Sequence, residues 1–136
     1  MEARTRDAWT YVLGLYGLGN VANGVWMLAD PQSWYNRLPA AVPDFGPLNE
    51  HFVRDIGSFF LVVGAALIAA ALSRPMRLSG IIFASAFVWL HALVHVYDTA
   101  RGLVAASHWL VDLVPVYLPA VVLVFALRAA LRGARS

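Results

Sequence analysis

"FLVVGAALIAAALSRPMRLSGIIFASAF", residues 60–87, decides what kind of protein this is. Thirteen apolar or small residues run without interruption, five residues with two arginines and a proline follow, and a second apolar run begins at once. Neither half alternates apolar with polar residues, as a half-buried strand does, and neither confines its apolar residues to the single stripe of a soluble amphipathic helix. Runs of this kind read as helices crossing a hydrocarbon layer. The turn "SRPMR", 73–77, is short enough to force the two helices antiparallel.

The same pattern recurs on both sides. Spans are expected at about residues 9–28, 52–72, 78–97 and 110–127, each near the roughly 20 residues that a bilayer core requires. Composition agrees: 60% of the 136 residues are hydrophobic and 13% charged, where soluble domains carry about 25% charged residues. A bilayer admits helices or closed barrels, so the expected fold is all-α: an integral membrane four-helix antiparallel bundle, one transmembrane domain over residues 1–136. The first span lacks a small-x-small cleavage site before Asp30, and we read it as retained rather than as a signal peptide. There are no cysteines, which excludes disulfides, thiolate metal sites and thiol redox chemistry.

The ten basic residues are all arginine. Arg4, Arg6, Arg74, Arg77, Arg128, Arg132 and Arg135 fall on one side of the expected bundle, and only Arg37 and Arg101 on the other, with Arg54 just inside the second span. The positive-inside rule then places both termini in the cytoplasm of a cell with this protein in its inner membrane. Asp30, Asp44, Glu50, Asp55, Asp98 and Asp112 segregate to the outer side. The arginines form no patch that would suit nucleic acid.

The connection between the first two spans, 30–50, begins "DPQSWYNRL". Asp30 is placed to cap a helix and Pro31 to open it, and Trp34 and Tyr35 favour a membrane–water boundary. We expect a short surface helix, then a Pro-rich crossing to the second span. That crossing serves either as a simple connector or as a lid over the bundle.

Polar residues converge on the outer half. "WLHALVHVYD", 89–98, sets His91, His95 and Asp98 at i, i+4 and i+7 on one helical face, with His91 about 9 Å below the outer end of its span. The second span enters as "NEHFVRDIGS", placing His51, Arg54, Asp55 and Ser58 on one face, and Asp112 and Asn23 lie at similar depth on the fourth and first spans. Ionisable side chains in a span cost about 2.5–3.5 kcal/mol each near its centre, so they persist where they pair or face a wet cavity. We expect His51, His91 and His95 to meet as ligands of a metal ion or of the polar head of a small ligand. Asp55, Asp98 or Asp112 would supply a fourth ligand or orient the imidazoles, and Arg54 would balance Asp55. Asn23 belongs to the same candidate pocket. Nitrogen and oxygen donors without sulfur suit zinc, Cu(II) or non-haem iron; haem lacks any attachment motif here. Without a metal, the same groups would bind the head of a quinone or lipid. His108, in "ASHWL", is expected to be a silent loop residue.

Glycines at 14, 17, 19, 24, 57 and 64 permit close helix contact, and Pro115 and Pro119 would bend the fourth span. A glycine-rich first span ending "WMLADPQSWY", a Pro-rich connection, then "NEHFVRDIGSFFLVVGAAL" resembles the DoxX-like grouping of small four-helix bacterial membrane proteins. The resemblance covers mainly residues 10–72 and implies a quinone-linked or accessory redox role; it supplies no site residues. Two functional readings follow from the whole chain. One is a ligand- or metal-binding membrane protein, with oxidoreductase activity as one form of it. The other is a non-catalytic accessory subunit, homo-oligomeric or part of a larger membrane complex, whose polar cluster is structural.

Overall fold

Ser73 alone separates the second membrane helix from the third. The computed structural model describes residues 7–133; Arg4, Arg6 and Arg135, three of the arginines behind the expected orientation, lie outside the described residues. Helix α1 spans Ala8–Ala29, α2 Pro31–Arg37, α3 Glu50–Leu72, α4 Arg74–Ala100, α5 His108–Val111 and α6 Leu118–Gly133. A 3-10 turn, Val42–Phe45, precedes α3, and a π-helical turn, Leu113–Tyr117, runs into α6. Four helices, α1, α3, α4 and Leu113–Gly133, are long and apolar enough to cross a membrane. The chain is an all-α, multi-pass membrane protein whose four long helices pack as an antiparallel bundle.

Local chemistry explains the boundaries. Asp7 caps α1, its carboxylate accepting from the Thr10 N–H at 2.9 Å. Asp30 caps α2 as expected, accepting from the Ser33 N–H at 2.9 Å, with Pro31 in the first turn. Trp34 Nε1 donates to Asn23 Oδ1 at 2.9 Å and ties this short helix to the end of α1. The second turn is tighter than the sequence suggested, because Pro75 is accommodated in the first turn of α4, where its missing N–H costs nothing. The fourth span starts at Leu113 instead of 110, since 108–111 form a separate short helix.

α1 packs on α3, α3 on α4 and α4 on α6. The α1–α3 seam is set by glycines seven apart on each helix. A Cβ on Gly64 would sit 2.7 Å from the Gly17 carbonyl oxygen, and one on Gly24 would sit 2.6 Å from that of Gly57. Such backbone proximity suits helices associating in lipid, where small residues replace the hydrophobic drive available in water. Gly14 and Gly19 do not share this role: a Cβ at Gly14 meets Ala71 at an ordinary 3.7 Å, and at Gly19 it meets nothing. Leu13, Val63, Leu67, Ile81, Ala84 and Leu123 form the apolar interior.

The two ends of the bundle differ in charge. At one, Arg77 spans from α4 to α1, donating to Asp7 Oδ2, to Thr10 Oγ1 at 2.9 Å and to the Ala70 carbonyl at 3.3 Å. The hydrogen bond from Arg77 holds the Asp7 carboxyl below its ordinary range, outweighing the opposite effect of burial. Arg74, Arg128 and Arg132 belong to this arginine end. The acidic end carries the histidines.

A buried histidine–aspartate chain at the acidic end

Three elements bring polar side chains together. α4 contributes His91 and His95 one turn apart. After Ala100 the chain turns back at Gly102, whose φ of 70° is left-handed; the Gly102 N–H donates to Thr99 and the Leu103 N–H to the Asp98 carbonyl at 2.9 Å. The return leads to α5, which presents His108 and, one turn later, Asp112. The Asp112 carbonyl accepts from both Val116 and Tyr117, at 3.0 and 3.1 Å, and this widened π-helical turn lets Pro115 sit inside the span. The 3-10 turn delivers Asp44 and Phe45 from the opposite side.

Together they form a continuous hydrogen-bonded chain. His95 Nδ1 lies 2.8 Å from Asp112 Oδ2. His108 Nδ1 lies 3.4 and 3.3 Å from the two oxygens of the same carboxylate, and His108 Nε2 lies 3.1 Å from Asp44 Oδ2. His108 and Asp112 are fully buried, whereas the Asp44 side chain is 52% exposed. The chain therefore runs from the surface to the bundle interior. Phe45 covers it, its ring edge-on to His95 and His108 at 4.9 and 4.8 Å.

The protonation pattern follows from donor and acceptor counting. A carboxylate only accepts, so a His108 ring with carboxylates at both nitrogens is held as an imidazolium that donates to both. Burial works against the charge, but the hydrogen bonds that the ring donates to Asp44 and Asp112, and their negative charge, outweigh it, and the His108 pKa is raised above its ordinary 6.5. A carboxylate only accepts, so His95 donates from Nδ1 to Asp112, whose single charge also faces the His108 ring; with Nδ1–H spent in this way, the neutral tautomer carries its lone pair at Nε2.

His91 sits deeper and makes ring contacts alone. It stacks on Phe87 at 5.7 Å, meets Phe60 edge-on at 6.3 Å and His95 edge-on at 4.6 Å. Neither of its nitrogens has a hydrogen-bond partner among the described residues. Phe59 and Phe83 continue the aromatic surface beyond Phe87 and are partly exposed on the flank of α3 and α4.

Several expectations need correction. His51 does not join His91 and His95: it lies 88% exposed, 3.4 Å from Asp55. Arg54 pairs with Glu50 at 3.0 Å, not with Asp55. Spacing grouped these residues on one face correctly, but Val53, Gly57 and Gly64 turn inward, so that face looks out. Asn23 holds α2 through Trp34 instead of lining the cluster. Asp98 accepts no hydrogen bond from a histidine among the described residues; Asp112 accepts from His95 instead. His108, expected to be silent, is the centre of the chain. Asp44 was missed as well; its place between two prolines and beside Phe45 in "PDFGP" marks a turn, not a ligand. Among the described residues no group of three or more His, Asp or Glu is disposed to hold a metal ion. His91 and His95 offer two imidazoles; of the expected carboxylates Asp112 alone stands beside them, and its oxygens are already hydrogen-bonded to His95 and His108.

No family model matches this chain, and no curated protein or solved structure shows significant similarity to it.

Proposed function

We propose that this is an inner-membrane protein, with both termini cytoplasmic, that binds the polar head of a small apolar ligand, quinone- or lipid-like, at His91 and His95. One observation carries the reading: two adjacent imidazoles, one with both nitrogens unspent, stand beside a saturated histidine–aspartate chain at the edge of an aromatic flank. A histidine ring held in place only by ring contacts leaves its hydrogen-bonding capacity for a partner that arrives from the bilayer. Phe59, Phe60, Phe83 and Phe87 offer such a ligand an apolar surface, and the likeness in layout to DoxX-like proteins points the same way. The reading assigns binding and no reaction.

The orientation rests on Arg74, Arg128 and Arg132 at one end, opposite the acids at the other. The chain lacks cysteine, so a single thiol introduced at Ala105 should label from outside intact cells and one at Pro75 should not. For the ligand, organic extracts of detergent-purified parent and His91→Phe proteins are compared by mass spectrometry. The parent should retain a stoichiometric quinone or lipid that the variant loses. Equal background lipid in both would refute the reading.

The accessory-subunit reading is favoured by one feature: Asp112 is fully buried with both oxygens engaged, as a structural lock would be. In that case His91→Phe would leave every bound molecule unchanged, and loss of Asp112 would release a partner subunit.

A further inference from the structure

We infer that the head group received at His91 and His95 is an uncharged aromatic hydroxyl, of the hydroquinone or phenol class, and neither an anionic lipid head nor a plain quinone. This inference rests on the head-group reading above and specifies its ligand.

Charge comes first. The groups facing the site are His91 and His95 from α4, His108 and Asp112 from α5 and its junction with the π-helical turn, and Asp44 from the 3-10 turn. α3 faces it with Phe60, while its Glu50, His51, Arg54 and Asp55 pair with one another on the opposite side. Tyr117, from the π-helical turn, donates its backbone N–H to the Asp112 carbonyl at 3.1 Å. Two carboxylates and one imidazolium leave a net charge of about −1, and Asp98 adds a further negative charge one turn along α4. Among the described residues no arginine reaches the cluster. A phosphate or carboxylate head would enter against this charge with no cation to meet it, in surroundings that screen poorly.

Hydrogen bonding narrows the ligand further. His95 spends its N–H on Asp112 and presents a lone pair at Nε2; neutral His91 presents one donor and one acceptor. The pair thus holds more acceptors than donors. A quinone carbonyl only accepts and satisfies one of these three positions. A hydroxyl both donates and accepts, so it can bridge His95 Nε2 and His91. Phe87 and Phe60, which already pack on His91 face-on and edge-on, extend the same surfaces to an aromatic ligand ring.

The test is a titration of the detergent-purified protein under argon, read by thermal shift, with four probes: a decyl-substituted hydroquinone, its dimethyl ether, the matching benzoquinone and dioleoyl phosphatidic acid. The hydroquinone should stabilise saturably and the ether should bind at least about tenfold more weakly, since it leaves buried acceptors without a donor. His91→Phe, which keeps the ring packing and hence the fold, should abolish the hydroquinone shift. Ether, quinone or phosphatidic acid binding as tightly as hydroquinone overturns the donor assignment and leaves the head-group reading standing. No shift by any probe on a folded parent overturns both.

Discussion

His95 and Asp112 meet at 2.8 Å across the packing of α4 against the fourth span, seventeen residues apart in the chain. The contact places a buried carboxylate where two helices and a returning loop converge, and one carboxylate serves both histidines. Asp112→Asn keeps the shape but removes the negative charge and places an amide where two donors point. A broken buried pair costs about 3–5 kcal/mol. We therefore expect Asp112→Asn to lower the unfolding midpoint in detergent by several degrees, and a midpoint equal to the parent's would contradict the chain as described.

His108 makes stability depend on pH. Its folded pKa lies above its ordinary 6.5, so its contribution is fully present below 6.5 and is lost as pH rises through the raised folded value. The midpoint should fall as pH is raised from 6.5 into the alkaline range, and His108→Gln should flatten that slope. Asp7 behaves oppositely: its folded pKa lies below 3.8, so its contribution holds above 3.8 and disappears as pH falls below it. Acid sensitivity in that window should be lost in Asp7→Asn.

The glycine seam gives a stability contrast. Gly64→Ala would force a methyl against the Gly17 carbonyl and Val21, and overpacking of this kind costs about 1–3 kcal/mol. Gly19→Ala meets open space and adds helix propensity, so it should be neutral or slightly stabilising. Both are measured by thermal unfolding in the same detergent, and similar losses at the two positions would argue against the seam.

Arg54→Ala and His51→Ala should each change stability by less than about 1 kcal/mol, because both pairs are exposed i, i+4 contacts. A large loss on removing Arg54 would mean that it balances a buried charge after all.

The chain's bare order of residues determined the number of membrane helices, their all-α class, the caps at Asp30 and Pro31 and the segregation of arginines from acids. Each of these depends on runs and periodicities within one helix, where hydrophobicity and backbone chemistry act locally. It also disclosed which residues share a face: His91 with His95, and His51 with Asp55. Which way each face looks was decided between helices. Gly57 and Gly64 draw α3 onto α1 so closely that the inward side is settled by glycine, and His51, Arg54 and Asp55 are left outside. The Gly102 turn and the π-helical turn at Asp112 fold α5 back under Phe45, and this alone turns a histidine in an apparent loop into the buried centre of the site. Only His108 and Asp112 are one helical turn apart; residues 44, 95 and 108 share no period, so only the packing of three elements could bring them together.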